Sequence, residues 1–329
     1  TILLKTLGAQ VSGYSLPPTN NGGIYNSFPQ NYLEFESLSD LCELEKLRDF
    51  ITKCKPDVIF HLAAQASVLE SINNPSGTWR TNVHGTQNLL EVLRLEKIEC
   101  ICLIITTDKV YRNLELNIPF KEQDPLGGKD PYSSSKVAVE FLVSSYNFSF
   151  FNFKTRTNVS TARAGNVIGG GDWLPNRIIP DLIRAYRNSE SLNVRNPDSV
   201  RPWQHVLDVI NGYLLQAEYF STATKNTPGK AFNFGPSVES QITVSGLISE
   251  FTKYFQINNY YAENSEEHLE AGLLTLDSEL AHCELGWRPT MNFAKSVAET
   301  ASWYRSYLEG FNPFDLTAHQ ISRWLTNEI

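Results

Sequence analysis

The chain has 329 residues, 41% hydrophobic and 19% charged, enough for about two domains, or one large α/β unit with an appended lobe, around a sizeable core. Its 28 basic against 36 acidic side chains leave a net charge of −8, which excludes any general attraction to nucleic acid and leaves anion binding to local arginines. The longest apolar runs, such as Ile101 to Ile105, fall far short of the ~20 residues that cross a bilayer, and no basic, apolar leader opens the chain, so a cytoplasmic protein without membrane contact is expected.

Thr1 to Leu7 has helical spacing, Gly8 stands where a left-handed stop belongs, and Gln10 to Leu16 reads as a strand. The chain thus opens midway through an α-to-β unit, and a strand and turn are expected ahead of it; a natural short start and a fragment both stay open. Leu44 to Cys54 has the spacing of a helix that ends at Lys55-Pro56, and Asp57 to Leu62 is a short apolar strand running into Ala63-Ala64-Gln65. A helix from about Thr78 to Leu95 leads to the apolar Cys100 to Thr106, and Tyr132 to Tyr146 forms another helix before the strand Arg156 to Ala162. Strands alternating with helices of this length predict an α/β fold with a doubly wound parallel sheet. Beyond Asn166 the rhythm breaks into glycines, prolines and short elements. The division expected is therefore residues 1–165 as a Rossmann-like domain and 166–329 as a smaller, mainly ligand-binding lobe with some segments returning to the sheet.

Tyr132 and Lys136 lie four apart on a helix and so share one face. An ammonium beside a phenol favours phenolate, which makes the tyrosine a base for a hydroxyl proton at neutral pH. With 14 tyrosines in the chain such a spacing arises readily by chance, so its context has to decide. Thr107-Asp108-Lys109 supplies that context, because it follows the strand Cys100 to Thr106 at the carboxyl edge where open α/β sheets bind ligands. An isolated Asp-Lys pair is otherwise a solvated turn contact. The histidines show no metal-ligand spacing, and the five cysteines (Cys42, Cys54, Cys100, Cys102, Cys283) lack paired C-x-x-C spacing. Neither a metal site nor a disulfide framework is indicated.

Several motifs together resemble one family. They are His61-Leu62-Ala63-Ala64-Gln65, Asn82-Val83-x-Gly85-Thr86, Thr107-Asp108-Lys109-x-Tyr111, and Asp124 to Gly128 leading to Tyr132-Ser133-Ser134-Ser135-Lys136. Arg163 to Trp173, Arg195 to Asp198, Val200 to His205 and Leu285-Gly286-Trp287-x-Pro289 follow. Over nearly its whole length the chain resembles the extended short-chain dehydrogenase/reductases that act on nucleotide sugars, and within them the CDP-glucose 4,6-dehydratases, since Lys109 stands where the dTDP-sugar branch carries glutamate.

The resemblance implies NAD as cofactor and CDP-glucose or a related nucleotide sugar as substrate. Tyr132 would take the sugar's 4-hydroxyl proton as hydride leaves C4, water would be lost across C5 and C6, and the returning hydride would leave a 4-keto-6-deoxy sugar. Asp108 would protonate the leaving hydroxyl, Lys109 would handle the C5 proton, Thr107 would hold the 4-oxygen, and Lys136 would also grip the nicotinamide ribose. Leu62, Ala63, Ala64 and Gln65 would line the cofactor. Asp40 matches an adenine contact but is equally well read as a helix N-cap, and Asn82 reads more readily as a bond to neighbouring backbone than as a ligand contact. Asn166 and Arg201 would meet the substrate pyrophosphate, with Arg177, Arg195 and Gln204 as second contacts, because guanidinium groups match phosphate oxygens.

The family's opening strand and G-x-x-G-x-x-G turn have no counterpart here, and Gly22-Gly23 cannot replace them. Activity of a chain that truly starts at Thr1 is therefore expected to be doubtful. A 4-epimerase and a non-catalytic sugar-nucleotide-binding remnant are the alternative readings. A homodimer or homotetramer is expected, since the family pairs through helices such as that bearing Tyr132 and that around Asn88.

Overall fold

The computed structural model describes residues 1–18, 23–114, 116, 118–151, 155–222, 228–256, 260–262 and 273–329. The helices of the first half are α1 (Ile2–Thr6), α2 (Leu44–Cys54), α3 (Val68–Asn73), α4 (Pro75–Trp79), α5 (Gly85–Leu95) and α6 (Pro131–Tyr146). Its strands are β1 (Gly13–Ser15), β2 (Glu36–Leu38), β3 (Val58–His61), β4 (Ile101–Ile105) and β5 (Asn158–Ala164). The second half adds β6 (Val167–Ile168), β7 (Leu192–Val194), β8 (Val200–Pro202), β9 (Gln204–His205), β10 (Ala231–Phe234), β11 (Gln241–Thr243) and β12 (Tyr260–Ala262). Its helices are α7 (Ile178–Asn188), α8 (Val206–Thr222), α9 (Val244–Phe251), α10 (Glu279–Leu285), α11 (Phe293–Leu308) and α12 (Pro313–Leu325).

The central sheet has the order β10-β5-β4-β3 and all its pairings are parallel. β4 reads Ile-Cys-Leu-Ile-Ile, unbroken apolar sequence for a strand covered on both faces. On one face Cys102 and Ile104 pack with Leu89, Leu93, Val139 and Val143 from α5 and α6. On the other, Ile101 and Leu103 meet Val209, Tyr213 and Trp287 from the second half. β1 and β2 form a separate parallel pair, and β3 is an edge of the four-stranded sheet.

Three differences from the sequence reading concern the site. The strand expected over Gln10 to Leu16 narrows to Gly13–Ser15, and its partner β2, whose alternation is too short to signal itself, was not foreseen. The helix expected from Thr78 to Leu95 is interrupted by a π-helical turn over Arg80–His84, which turns Asn82 into the interior. Directly after it Gly85 rests on Leu41, where a Cβ would come within 2.7 Å of the leucine's Cδ2. All five cysteines are free, and no helix among the described residues is long and apolar enough to cross a membrane.

Candidate active site

The carboxyl ends of β3 and β4 and the first turn of α6 converge on one edge. Asp130 caps α6 by accepting from Ser133 N at 2.9 Å while Ser133 Oγ receives Asp130 N at 3.2 Å, and Pro131 opens the helix. Gly128 lies flat on that turn, since a Cβ there would meet Ser134 N at 2.3 Å. Thus the loop from Asp124 packs where it fixes the direction in which Tyr132 leaves the helix.

Thr107, Asp108 and Lys109 form a 3-10 turn at the end of β4. Thr107 Oγ1 donates to Asp108 Oδ1 at 3.1 Å and accepts from Lys109 N at 3.3 Å, and it is also hydrogen-bonded with Tyr132. Asp108 is buried, with Lys109 Nζ 4.0 Å from its Oδ1. A hydroxyl, a carboxylate, an ammonium and a phenol therefore meet.

The electrostatics differ from the sequence reading. Lys136 was expected to acidify Tyr132, yet its Nζ donates to Ile105 O at 2.9 Å. Burial raises the Tyr132 phenol above its ordinary value, and the cations that pull it back are Lys109 and Arg177. Lys136 is itself pushed down to about 8 by burial, with Glu140 acting in the opposite direction. A strand carbonyl competes for the lysine's protons, a contact that the i, i+4 spacing cannot reveal.

Around β3 the structure favours positioning bonds. Asn82 Oδ1 accepts from Gln65 N at 2.8 Å and its Nδ2 donates to Gln65 O at 3.0 Å and to Ser135 Oγ at 2.8 Å. Asn82 is thus a clamp on backbone, while Gln65 Oε1 stays buried without a partner. Thr86 gives its one hydrogen to Asn82 O at 2.6 Å, so His61 donates to Thr86 from Nε2 at 3.0 Å and its tautomer is decided. His61 is held neutral, pushed down to about 3 by burial and the Lys136 charge. Leu62 is 59% exposed and Ala63 is open, leaving a bare apolar shelf beyond β3. Asp40 is not the N-cap of α2, which is Glu43; its carboxylate accepts from Cys42 N at 2.8 Å and lies 3.5 Å from Arg80.

The arginines divide. Arg177, at the N-cap of α7, pairs with Asp172 at 2.9 Å, and its charge also favours the Tyr132 phenolate. Arg201 on β8 is buried, with Nη1 donating to Val200 O at 3.0 Å, and Arg195 donates to Asn176 O at 3.3 Å. Gln204 Nε2 donates to Phe234 O at 2.8 Å and fastens β9 to β10; its Oε1 and Asn166 Oδ1 are buried without partners. Such orphaned acceptors call for a donor from a ligand or water rather than belonging to a finished core. Sequence reasoning missed Glu140 and the role of Arg163; the signal was a glutamate at the next i+4 step after Lys136.

A family model described as GDP-mannose 4,6 dehydratase matches residues 25–300. The chain belongs to this family. It is similar to the CDP-glucose 4,6-dehydratase of Salmonella typhimurium, 34% identical over 99% of this chain and 92% of that protein. It is similar also to a dTDP-glucose 4,6-dehydratase of Haemophilus influenzae, 28% identical over 80% of this chain and 81% of that protein. Among solved structures it superposes on the UDP-glucose-4-epimerase from Stenotrophomonas maltophila with bound NAD and formylated UDP-arabinopyranose, at a TM-score of 0.80, 18% identity and coverage of 94% and 95%. The Thermus thermophilus UDP-glucose 4-epimerase complexed with NAD gives 0.79 at 20% identity, with coverage of 92% and 93%. At that identity the likeness is one of fold, and the Rossmann-type α/β fold expected from the sequence is the fold found.

Proposed function

We propose that this member of the 4,6-dehydratase family converts CDP-glucose to CDP-4-keto-6-deoxyglucose for deoxysugar synthesis, using NAD and acting in the cytoplasm. The observation that carries the reading is the buried Asp108 with Lys109 beside it, next to Tyr132. Removal of water across C5 and C6 needs an acid and a base beyond the Tyr-Lys couple, whereas a 4-epimerase needs neither. The 34% identity to a CDP-glucose 4,6-dehydratase supports the choice of nucleotide.

The residues present fit the nicotinamide end of the cofactor: an open shelf at Leu62, Ala63 and Ala64, the unpartnered Gln65 Oε1, and Lys136 with one of its three donors engaged. Bound there, NAD supplies a reversible hydride acceptor. Tyr132 takes the proton of the sugar's 4-hydroxyl, which Thr107 orients. Lys109 removes the C5 proton made acidic by the 4-ketone, and Asp108 protonates the departing 6-hydroxyl. Arg201 and Asn166 hold the pyrophosphate, with Arg195 and Gln204 behind them, and Arg177 reaches towards the sugar.

The test is mass spectrometry of CDP-glucose incubated with the chain and NAD⁺. Loss of one water is the expected result. Water loss from dTDP-glucose but not from CDP-glucose overturns the nucleotide assignment; NAD binding with C4 inversion and no water loss establishes the epimerase; and failure to bind NAD establishes the remnant.

We also propose that two copies pair through the helices on the α6 side of the sheet. Trp79 of α4, Phe141 of α6 and Phe148 of the turn after it are exposed, Phe148 at 86%, and apolar side chains of this size gain by burial against a partner. Light scattering at micromolar concentration is expected to give a dimer or tetramer, and a monomer overturns the proposal.

A further inference from the structure

Glu140 is a buried charge that the steps above leave unused. It lies four residues after Lys136 and eight after Tyr132, so the three side chains form one stripe along α6. Arg163 grips its carboxylate with two prongs, Nε to Oε1 at 2.8 Å and Nη2 to Oε2 at 2.9 Å. The hydroxyls of Thr106 and Thr161 add bonds of 2.6 Å and 2.8 Å. A buried ion pair repays its desolvation only when the remaining lone pairs are satisfied, and here they are.

The network continues outward. Arg163 Nη1 donates to Tyr111 Oη at 2.8 Å and to Glu122 O at 3.1 Å, and Tyr111 donates to Asn233 Oδ1 at 2.7 Å. α6 is thereby tied to the ends of β4, β5 and β10, and to the segment that follows Lys109. These attachments set the distance between the helix bearing Tyr132 and Lys136 and the turn bearing Thr107 and Asp108.

We infer that Glu140, held by Arg163, is a positioning residue for the Tyr132–Lys136 couple, fixing α6 on the sheet and keeping Lys136 in its ammonium form. The inference rests on the reading of that couple as the site's base and its partner. The groups facing Lys136 are few. His61 on β3 is neutral, Lys136's backbone acceptor Ile105 carries no charge, Arg163 on β5 is neutralised by Glu140, and Asp108 and Lys109 on the turn after β4 pair with each other. Glu140 is the anion that acts on Lys136 against the effect of burial.

Glu140→Gln alone leaves Arg163 buried without an anion and can unfold the chain. The informative variant is Glu140→Gln/Arg163→Met, which removes both charges at similar volume. The readout is the ¹³Cε NMR titration of Lys136 in the full chain, assigned with Lys136→Met, alongside the pH profile of kcat/KM. The Lys136 titration and the alkaline limb of activity are both expected to move down by about one pH unit in the double variant. Glu140→Asp alone, which keeps both the charge and the Arg163 partner, is expected to leave both near the wild-type position. A folded double variant whose titration and limb stay at wild-type pH overturns the inference, even if its activity is lower, because the pair is then merely structural. If the Lys136 titration shifts while the wild-type chain dehydrates no nucleotide sugar, the dehydratase reading fails and the electrostatic role of Glu140 stands.

Discussion

Tyr132→Phe is expected to lower kcat for dehydration by roughly a thousandfold, the scale of losing a positioned general base, with the fold and nucleotide-sugar binding kept. The phenol is the proposed base for the 4-hydroxyl proton, and its neighbourhood explains both the need for help and its source. Burial disfavours phenolate, as does the carboxylate of Asp108; Lys109, Thr107 and Arg177 favour it. A base whose ionisation is opposed by burial is useful only when cations stand close. Removing a cation disfavours phenolate further, so Arg177→Ala is expected to lower kcat for dehydration, measured by water loss from the sugar. Full activity in Tyr132→Phe, measured by water loss from the sugar, removes the residue from the mechanism.

Asp108 and Lys109 yield the second large effect. At rest they face each other as an ion pair at 4.0 Å, the wrong arrangement for an acid and a base. Passing one proton from Lys109 to Asp108 turns the pair into both without changing its net charge. Asp108→Asn and Lys109→Ala are each expected to slow water loss by at least about a hundredfold. Deuterium uptake from solvent at C5 separates their roles. It is expected to vanish in Lys109→Ala and to fall in Asp108→Asn, where the lysine has lost its proton acceptor. Undiminished uptake in Lys109→Ala rules the lysine out as the C5 base, and wild-type uptake in Asp108→Asn means that Lys109 sheds its proton without the aspartate.

The parts of the site legible in the sequence are those set by short chain distances. Tyr132 and Lys136 share a face because a helix repeats every 3.6 residues, and Thr107 to Lys109 reach the ligand edge because they directly follow an apolar strand. The reading of Asn82 as a clamp on backbone also held, through its bonds to Gln65. Asp40 was left open between adenine contact and N-cap; the second is excluded, since the helix begins beyond it with Glu43 as its cap. Arg177 was assigned to the pyrophosphate by its side-chain type and the resemblance; its pairing with Asp172 at the start of α7 is a contact that no spacing predicts.

By itself the sequence determined the alternating α/β order, the chemistry of the edge and the family, because periodicity, turn residues and dense motifs are local properties that survive without neighbours. Only the tertiary structure decided how that chemistry is charged. Lys136 turns to a carbonyl of β4, Lys109 and Arg177 take over as the cations acting on Tyr132, and Glu140 finds Arg163 across 23 residues of chain. The physical reason is that desolvation and Coulomb interactions depend on separation in space and on burial, and both exist only once distant segments have been packed against one sheet.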